Sequence, residues 1–391
     1  MISILQSNPN QQGLSFDLPL SDAGAGAVNT TPISSLGSGT PTFTRATVKW
    51  TKLASGLWTQ VGTGVAASCY IGASTAVGAY GGYFAEGAGT QLVTPDASIR
   101  DMTDASWVKG VTMTAAKTAT GIDGAANACT TLTGGAVSAT NTAFQTLTAA
   151  ASSRTYSCWI KRRTGTGTIN ITQDGGSTYT DVTSLINAST FTRVSLTASV
   201  LNAAFGIQVV TLSDAIDVDF NQFEAGAFAT SPMATAGAAR NADVLTYPLA
   251  SNANPSLGSI YAEVNSSANS PFTTTNVVVG YDASGGPFAV EAGAAVTIIS
   301  SNDGATTVQK NFGNSLLTAV RKVALSYGGS ARSITGDGAA VATGSFDGSF
   351  GSTAIAIGCG TGGANQWYGT LRNVRLYNRA LSDAQLQQMT T

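Results

Sequence analysis

The chain contains no histidine. That removes Ser-His-Asp and Cys-His nucleophile activation, imidazole acid–base work and His-ligated zinc in one step. No Gly-rich loop ends in Lys-Ser or Lys-Thr, so no phosphate cradle is written in the sequence. Carboxylates remain. Asp217 and Asp219 lie two apart. On a strand this places their Cα atoms about 6.5–7 Å apart on one face, and a glycosidase carboxyl pair spans roughly 5–10 Å. Flanked by Ile216, Val218 and Phe220, the two read instead as the solvated face of a half-buried strand. Cys69, Cys129, Cys158 and Cys359 form no C-x-x-C pair and match no zinc spacing, so they read as small apolar core side chains.

Two kinds of binding chemistry stay open. Asp303, Asp337 and Asp347 each precede a glycine. Loop carboxylates with neighbouring carbonyls can hold calcium, and the same Asp can equally set its turn by bonding its own backbone. No other cofactor is implied. For sugars, the useful groups are rings that stack on pyranose faces and amides that fix hydroxyls. Trp367 and Tyr368, beside Asn365 and Gln366 after a glycine-rich loop, supply both. Trp159 is a further candidate, because it faces away from Tyr156, Cys158 and Ile160. Each ring can equally be a packed core aromatic or an interface anchor.

The elements that must position these residues are strands. The chain has 391 residues, beyond the roughly 250–300 at which a single core stops growing, so two or three domains are expected. Charged residues make up 10% and glycines number 45; helix-forming Glu, Lys and Arg are scarce, while Thr, Val, Ile and Tyr suit pleated surfaces. Period-two alternation marks Tyr156/Cys158/Ile160, Phe205/Ile207/Val209 and Ile216/Val218/Phe220, then restarts at Ile260/Ala262/Val264, Val323/Leu325/Tyr327 and Ile355/Ile357/Cys359. Residues 231–245 read as a linker between the two series. Before them, Pro9, Pro19, Pro32 and Pro41 break residues 1–45 into an irregular arm, either a loose tail or a segment that wraps neighbours. The expected fold is all-β: an irregular N-terminal arm, two antiparallel β-sandwich (jelly-roll) domains and a short C-terminal helix. The expected divisions are an arm and attachment region over 1–90, a middle sandwich over 91–235 and a terminal sandwich over 236–391.

The last strand is the most readable. Strict alternation in residues 369–377 sends Leu371 to the opposite face from Val374 and Leu376, and a one-residue bulge near Arg372-Asn373 would bring all three inward. Ser382 with Gln385 makes a capping box for the final helix, with Leu381 and Leu386 as its staple.

The formal net charge is −2 and the basic residues form no patch, which excludes nucleic-acid binding as an expectation. Weak mutual repulsion favours a chain that buries surface in an assembly. Met1-Ile2-Ser3-Ile4-Leu5 lacks the basic and apolar regions of a signal peptide. No run of about 20 apolar residues exists for membrane insertion, so synthesis and assembly in a cytoplasm are expected.

The segment Gly369-Thr370-Leu371-Arg372-Asn373-Val374-Arg375-Leu376-Tyr377-Asn378-Arg379-Ala380-Leu381-Ser382 resembles the closing strand of laminin-G-like, concanavalin-A-like domains, which read G-x-I-x-x-V-R-I-Y-N-R-A-L-S. Arg321 to Tyr327 and the Asp337-Gly338 hairpin resemble the preceding strands of that family. Residues 80–240 resemble a second pattern, found in tailed-bacteriophage structural proteins. Its pieces are Glu86 to Leu92 (Gln91 where Asn is usual), Trp107-Val108-Lys109, Tyr156 to Lys161, Phe191 to Val194 (Phe191 where Trp is common) and Gln222 to Ser231, closing a carbohydrate-module-like sandwich. The resemblance implies a non-enzymatic virion structural protein, of capsid-decoration, head-fibre or tail-fibre type, on the virion surface. Its implied partners are other virion proteins, further copies of itself (trimers are common in fibres) and host glycans. The alternative is a receptor-binding lectin for host polysaccharide. A glycoside hydrolase or lyase is disfavoured by the missing histidines and signal peptide.

Overall fold

The computed structural model describes residues 12–18, 36–70, 80–136, 138–237, 239–266, 276–281, 286–292, 297–311, 320–351 and 354–391. The fold is nearly all β, in antiparallel sheets, and the one α-helix among the described residues is Asp383–Thr390. By contacts the chain divides into two compact units: Met1–Gly56 with Gln60–Ala88 and Asn241–Thr391, and Leu57–Thr59 with Gly89–Arg240. The sequence reading set residues 1–90 apart as a region of their own. The contacts instead count Met1–Gly56 and Gln60–Ala88 with the C-terminal sandwich.

The middle unit is a jelly roll of two five-stranded sheets. One runs Thr192–Ser199, Ser153–Thr164, Ala215–Ala225, Cys129–Thr133, Thr114–Ala119; the other runs Thr180–Asp181, Ile169–Thr172, Ala204–Val209, Thr142–Thr146, Val108–Lys109. The alternating rows meet between them: Tyr156, Cys158, Ile160, Phe205, Ile207, Val209, Ile216 and Val218 are fully buried. Phe205 stacks on Phe223 at 4.2 Å and meets Trp107 edge-on at 5.9 Å. One member of the expected rows departs. The pairing of Ser153–Thr164 with Ala215–Ala225 shifts register between Ser157↔Gln222 and Trp159↔Asp219, and Phe220 takes φ +43°. This bulge changes the phase of the strand. Asn221, which accepts the Tyr156 hydroxyl at 2.8 Å, and Phe223 follow Ile216 and Val218 inward, while the Phe220 ring lies 4.5 Å from the Arg100 guanidinium.

In the other unit an eight-stranded sheet packs on a seven-stranded one. The first runs Ala342–Ser345, Ala331–Gly336, Arg321–Gly328, Leu257–Ser266, Gly369–Tyr377, Tyr80–Ala85, Ser68–Tyr70, with Leu14–Leu18 pairing the far half of Gly369–Tyr377. The second runs Thr42–Thr44, Val244–Pro248, Ala354–Ile357, Asn276–Gly280, Pro287–Ala292, Thr297–Asn302, Thr307–Asn311. A core including Phe16, Tyr83, Ile260, Leu325, Ile357 and Trp367 fills the space between. The anticipated bulge is present. Tyr261↔Arg375 and Glu263↔Arg372 leave one extra residue, Asn373 has φ +50°, and Leu371, Val374 and Leu376 all enter the core. Gly82, at φ +107°, lies so close to this strand that a Cβ would strike the Leu371 carbonyl. Ser382 and Gln385 form the reciprocal capping box, and Leu381 and Leu386 share a cluster with Tyr261 and Tyr377.

Two stretches rich in proline and glycine are ordered where they are described. Of the arm, residues 1–11 and 19–35 lie outside the described residues, but Leu14–Leu18 is a sheet strand with Phe16 and Leu18 fully buried. Of the 231–245 linker, Ser231 and Met233 are buried, Ala239–Arg240 pairs with Gly89–Thr90, and Leu245 is in the core. Backbone polar groups in these stretches find strand partners, which proline and glycine content alone does not reveal.

Candidate functional site

The carboxylates come first, because they carry the enzymatic option. Asp217 and Asp219 are 3% and 0% exposed, so the strand's outer face is not the solvated one expected. Arg100, just past the 3-10 turn Asp96–Ile99, reaches over that face. Its Nε and Nη2 donate to the two Asp219 oxygens at 2.7 and 2.8 Å, and the N–H groups of Ile122 and Phe220 add 2.8 and 2.9 Å bonds. Asp217 accepts from Thr131 Oγ1 at 2.8 Å and Arg163 Nη1 at 3.1 Å, with Lys161 Nζ at 3.5 Å. A catalytic pair needs one carboxyl turned to a substrate or water; these two are turned to fixed donors.

Glu224 is equally enclosed. Burial pushes its carboxyl above the usual range, against Thr230 N–H and hydroxyl and the Gln222 amide. Gln91 accepts the N–H groups of Phe223 and Val93 and donates to the carbonyls of Asn221 and Met233. Gln91, Gln222 and Glu224 are therefore spent on neighbouring backbone groups and on Thr230.

The Asp-Gly turns behave as backbone anchors. For Asp303, burial acts against the charge, but the N–H groups of Thr306, Ala305 and Asp347 and the Arg332 guanidinium at 3.3 Å hold it below the usual carboxylate range. Asp347 reaches Asp303 through its backbone N–H, and its own carboxylate accepts the Ser349 N–H at 3.3 Å. Asp337 accepts from Arg321 Nη1 at 2.7 Å and the Lys322 N–H at 3.0 Å. Among the described residues no three Cys, Asp or Glu side chains converge to hold a metal ion. The four cysteines are buried thiols; burial pushes Cys158 and Cys359 up to about 12.

Of the aromatic candidates, Trp367 is a core residue, 0% exposed, with its indole N–H donating to Asn265 O at 3.2 Å. The sequence places it after a polar loop, yet the chain reverses at Asn365 (φ +52°) and the Trp367 N–H closes on Gly358 O at 2.7 Å, turning the ring inward. Gln366 is buried and donates to Asp243 O and Gly363 O. Tyr368 is half-buried with its hydroxyl over Gly87, and Asn365 is exposed. Trp367 and Gln366 are thus taken up by the core, while Tyr368 and Asn365 keep part of their surface open.

Trp159 differs. It stays half-buried on the outer face while Cys158 and Ile160 are fully enclosed. Trp58 meets it edge-on at 5.2 Å, and the Trp58 backbone N–H donates to Ile122 O at 3.0 Å. The Arg193 guanidinium lies 5.9 Å from the Trp159 ring and is held by Ser157 Oγ and the Thr230 carbonyl. One step along the strand, Lys161 Nζ lies 4.8 Å from the Phe191 ring, and beyond it Arg163 is 48% exposed. Sequence reasoning found Trp159 from its phase. It missed Trp58, which is remote in the chain, and it missed Arg193 and Phe191 as members of the same face, although cross-strand register would have supplied Arg193.

A second unforeseen cluster lies in the other unit. Asp243 accepts from Arg45 Nη1 at 2.7 Å, Lys49 Nζ at 2.5 Å and the Glu86 N–H at 3.0 Å; Lys49 also reaches the Phe84 carbonyl and lies 3.4 Å from Glu86. All four charged side chains are buried. This cluster pins the segments carrying Arg45, Lys49 and Glu86 to the start of the C-terminal sandwich.

Solved structures to which the chain shows some similarity include domain 4 of AbnA, a GH43 extracellular arabinanase from Geobacillus stearothermophilus, in complex with arabinotriose. It shares 14% identity over 38% of this chain and 73% of that one, at a TM-score of 0.30. The Ruminococcus gnavus IT-sialidase CBM40 bound to α2,3 sialyllactose shares 16% identity over 37% and 92%, at 0.29. The binding domain of botulinum neurotoxin serotype D shares 10% over 37% and 40%, at 0.28. No curated protein matches the chain. Residues 240–387, in the C-terminal part of the chain, match the laminin-G-type model of the concanavalin A-like lectin/glucanases superfamily.

Proposed function

We propose that this chain is a non-enzymatic, glycan-recognising surface protein of a tailed-phage particle, of capsid-decoration, head-fibre or tail-fibre type. One observation carries the non-enzymatic, recognising part: the carboxylates best placed for acid–base work, Asp217, Asp219 and Glu224, are spent on internal donors, while an aromatic and cationic face beside them stays half-open. The lectin-like terminal domain supports the same reading. The phage assignment rests on the motif resemblance over residues 80–240. A receptor-binding lectin is the same chemistry used for host attachment, and the Trp58–Trp159 pair favours it.

The test has two arms. Peptide mass spectrometry and antibody labelling of purified particles locate the chain; a virion protein is found at fixed stoichiometry on the surface. A glycan array with a parallel reducing-end assay reads recognition against hydrolysis. Binding without release of reducing ends is the expected result. Release of reducing ends, or absence from particles, overturns the corresponding half.

A further inference from the structure

We infer that the outer face of the middle sandwich, along Trp58, Trp159, Lys161 and Arg163, binds an acidic polysaccharide of the uronic-acid class. The inference rests on the glycan-recognising reading above and gives it a place and a ligand chemistry.

The argument is geometric. On Ser153–Thr164 the residues Ser157, Trp159, Lys161 and Arg163 alternate onto the face opposite the core. Trp159 and Trp58 give two indoles at 64° to each other, so a sugar ring seated on one is flanked by the edge of the other. The Trp159 Nε1–H is enclosed and has no acceptor among the described residues. Such a donor calls for a partner, and a sugar hydroxyl brought beside Trp58 would supply one. The charges fit an anion. Three cations line the strip: Lys161, Arg163 and Arg193. Lys161 and Arg163 share one carboxylate, Asp217, and the nearest partner of Arg193 in charge is Glu224, enclosed under Thr230. At the Arg163 end two positive heads, Lys161 and Arg163, face the single carboxylate of Asp217, a local surplus of one, while beside Trp159 the Arg100 guanidinium is matched by Asp123 and Asp219. Arg163 is the most exposed of the ion-paired cations on this face, and its fork suits a planar carboxylate. A strand rises about 3.3 Å per residue, so Trp159 to Arg163 spans about 13 Å, room for more than two pyranose units in extension. The strip thus offers stacking at one end and carboxylate recognition at the other, which a neutral glycan would use only in part.

The experiment is a calorimetric titration of the full chain with hexagalacturonate, maltohexaose and poly-glutamate at low and high salt. Hexagalacturonate should bind, maltohexaose more weakly by about tenfold, and poly-glutamate not measurably, because it carries the charge without the rings. Trp159→Leu should cost about tenfold or more and Arg163→Gln about threefold, the latter lost at high salt. Arg163→Gln touches an exposed head, so it keeps the test sharp should Trp159→Leu lower the Tm. In wild type, the Trp159 indole N–H resonance should shift on titration. Equal binding of poly-glutamate, or equal affinity of both variants and wild type, overturns the inference. If wild type binds other glycans on the array but these variants bind them normally, this face is refuted while glycan recognition stands. If no glycan binds at all, both fall together.

Discussion

Replacing Asp243 by Asn changes one atom in a fully enclosed set of charges. In the wild type this carboxylate takes Arg45 at 2.7 Å, Lys49 at 2.5 Å and the Glu86 N–H at 3.0 Å, and the Arg45, Lys49 and Asp243 side chains are all 0% exposed. The substitution leaves two buried cations facing one carboxylate. The new amide must also turn its NH2 toward a donor. Removing one partner of a buried pair costs about 3–5 kcal/mol, and the donor-to-donor contact places this case in the upper half. Lys49→Met removes a cation instead, and Asp243 keeps Arg45. The double variant should therefore lose less than the sum of the singles, by about 1–3 kcal/mol. Urea titration followed by far-ultraviolet circular dichroism and tryptophan fluorescence measures each value. A loss under about 1 kcal/mol for Asp243→Asn, the range of exposed ion pairs, would show that the cluster is hydrated and the reasoning wrong.

Three further outcomes follow from the same geometry. Trp367→Ala should destabilise by about 3–5 kcal/mol, read as a fall in Tm, while glycan binding per folded molecule is unchanged; a selective loss of binding at normal Tm would restore Trp367 as a contact. Asn373→Ala should cost more than Asn373→Gly in urea titrations, by about 1 kcal/mol, because both lose the 2.8 Å bond to Glu263 but only alanine is strained at φ +50°; equal losses would remove the bulge argument. Asp303 has a depressed folded-state pKa, so its contribution is full above the unfolded value near 3.9 and is lost as pH falls below it. The urea midpoint of Asp303→Asn should consequently fall less steeply than wild type from pH 4 downward, and parallel curves would contradict this.

What the sequence reveals is local. Alternation identifies the inward rows of both sandwiches, because a strand with one buried face repeats every two residues, but it misplaces Phe220, where a bulge changes the phase. The bulge at Asn373 is legible because Leu371, Val374 and Leu376 are all apolar and cannot otherwise share a face. The capping box at Ser382 needs only three residues of context. Leu14, Phe16 and Leu18 carry the same period-two signal, which the surrounding prolines and glycines mask. What stays hidden depends on distant partners. Asp219 looks solvated until Arg100 and Ile122, about a hundred residues earlier, close over it, and Asp217 until Thr131 and Arg163 do. Trp367 looks exposed until the reversal at Asn365 is known, since a polar loop before an aromatic does not say which way the ring turns. Trp58 becomes part of a site only through its contact with Trp159.

The most direct test of the account runs polysaccharide and protein together on size-exclusion chromatography with light scattering. Purified chain is incubated with a panel of bacterial surface polysaccharides and polygalacturonate. The account predicts that the protein co-elutes with at least one acidic polysaccharide whose molar mass is unchanged after prolonged incubation. A falling polysaccharide mass would mean catalysis, and elution of the protein at its own position with every sample would mean no recognition; either contradicts it.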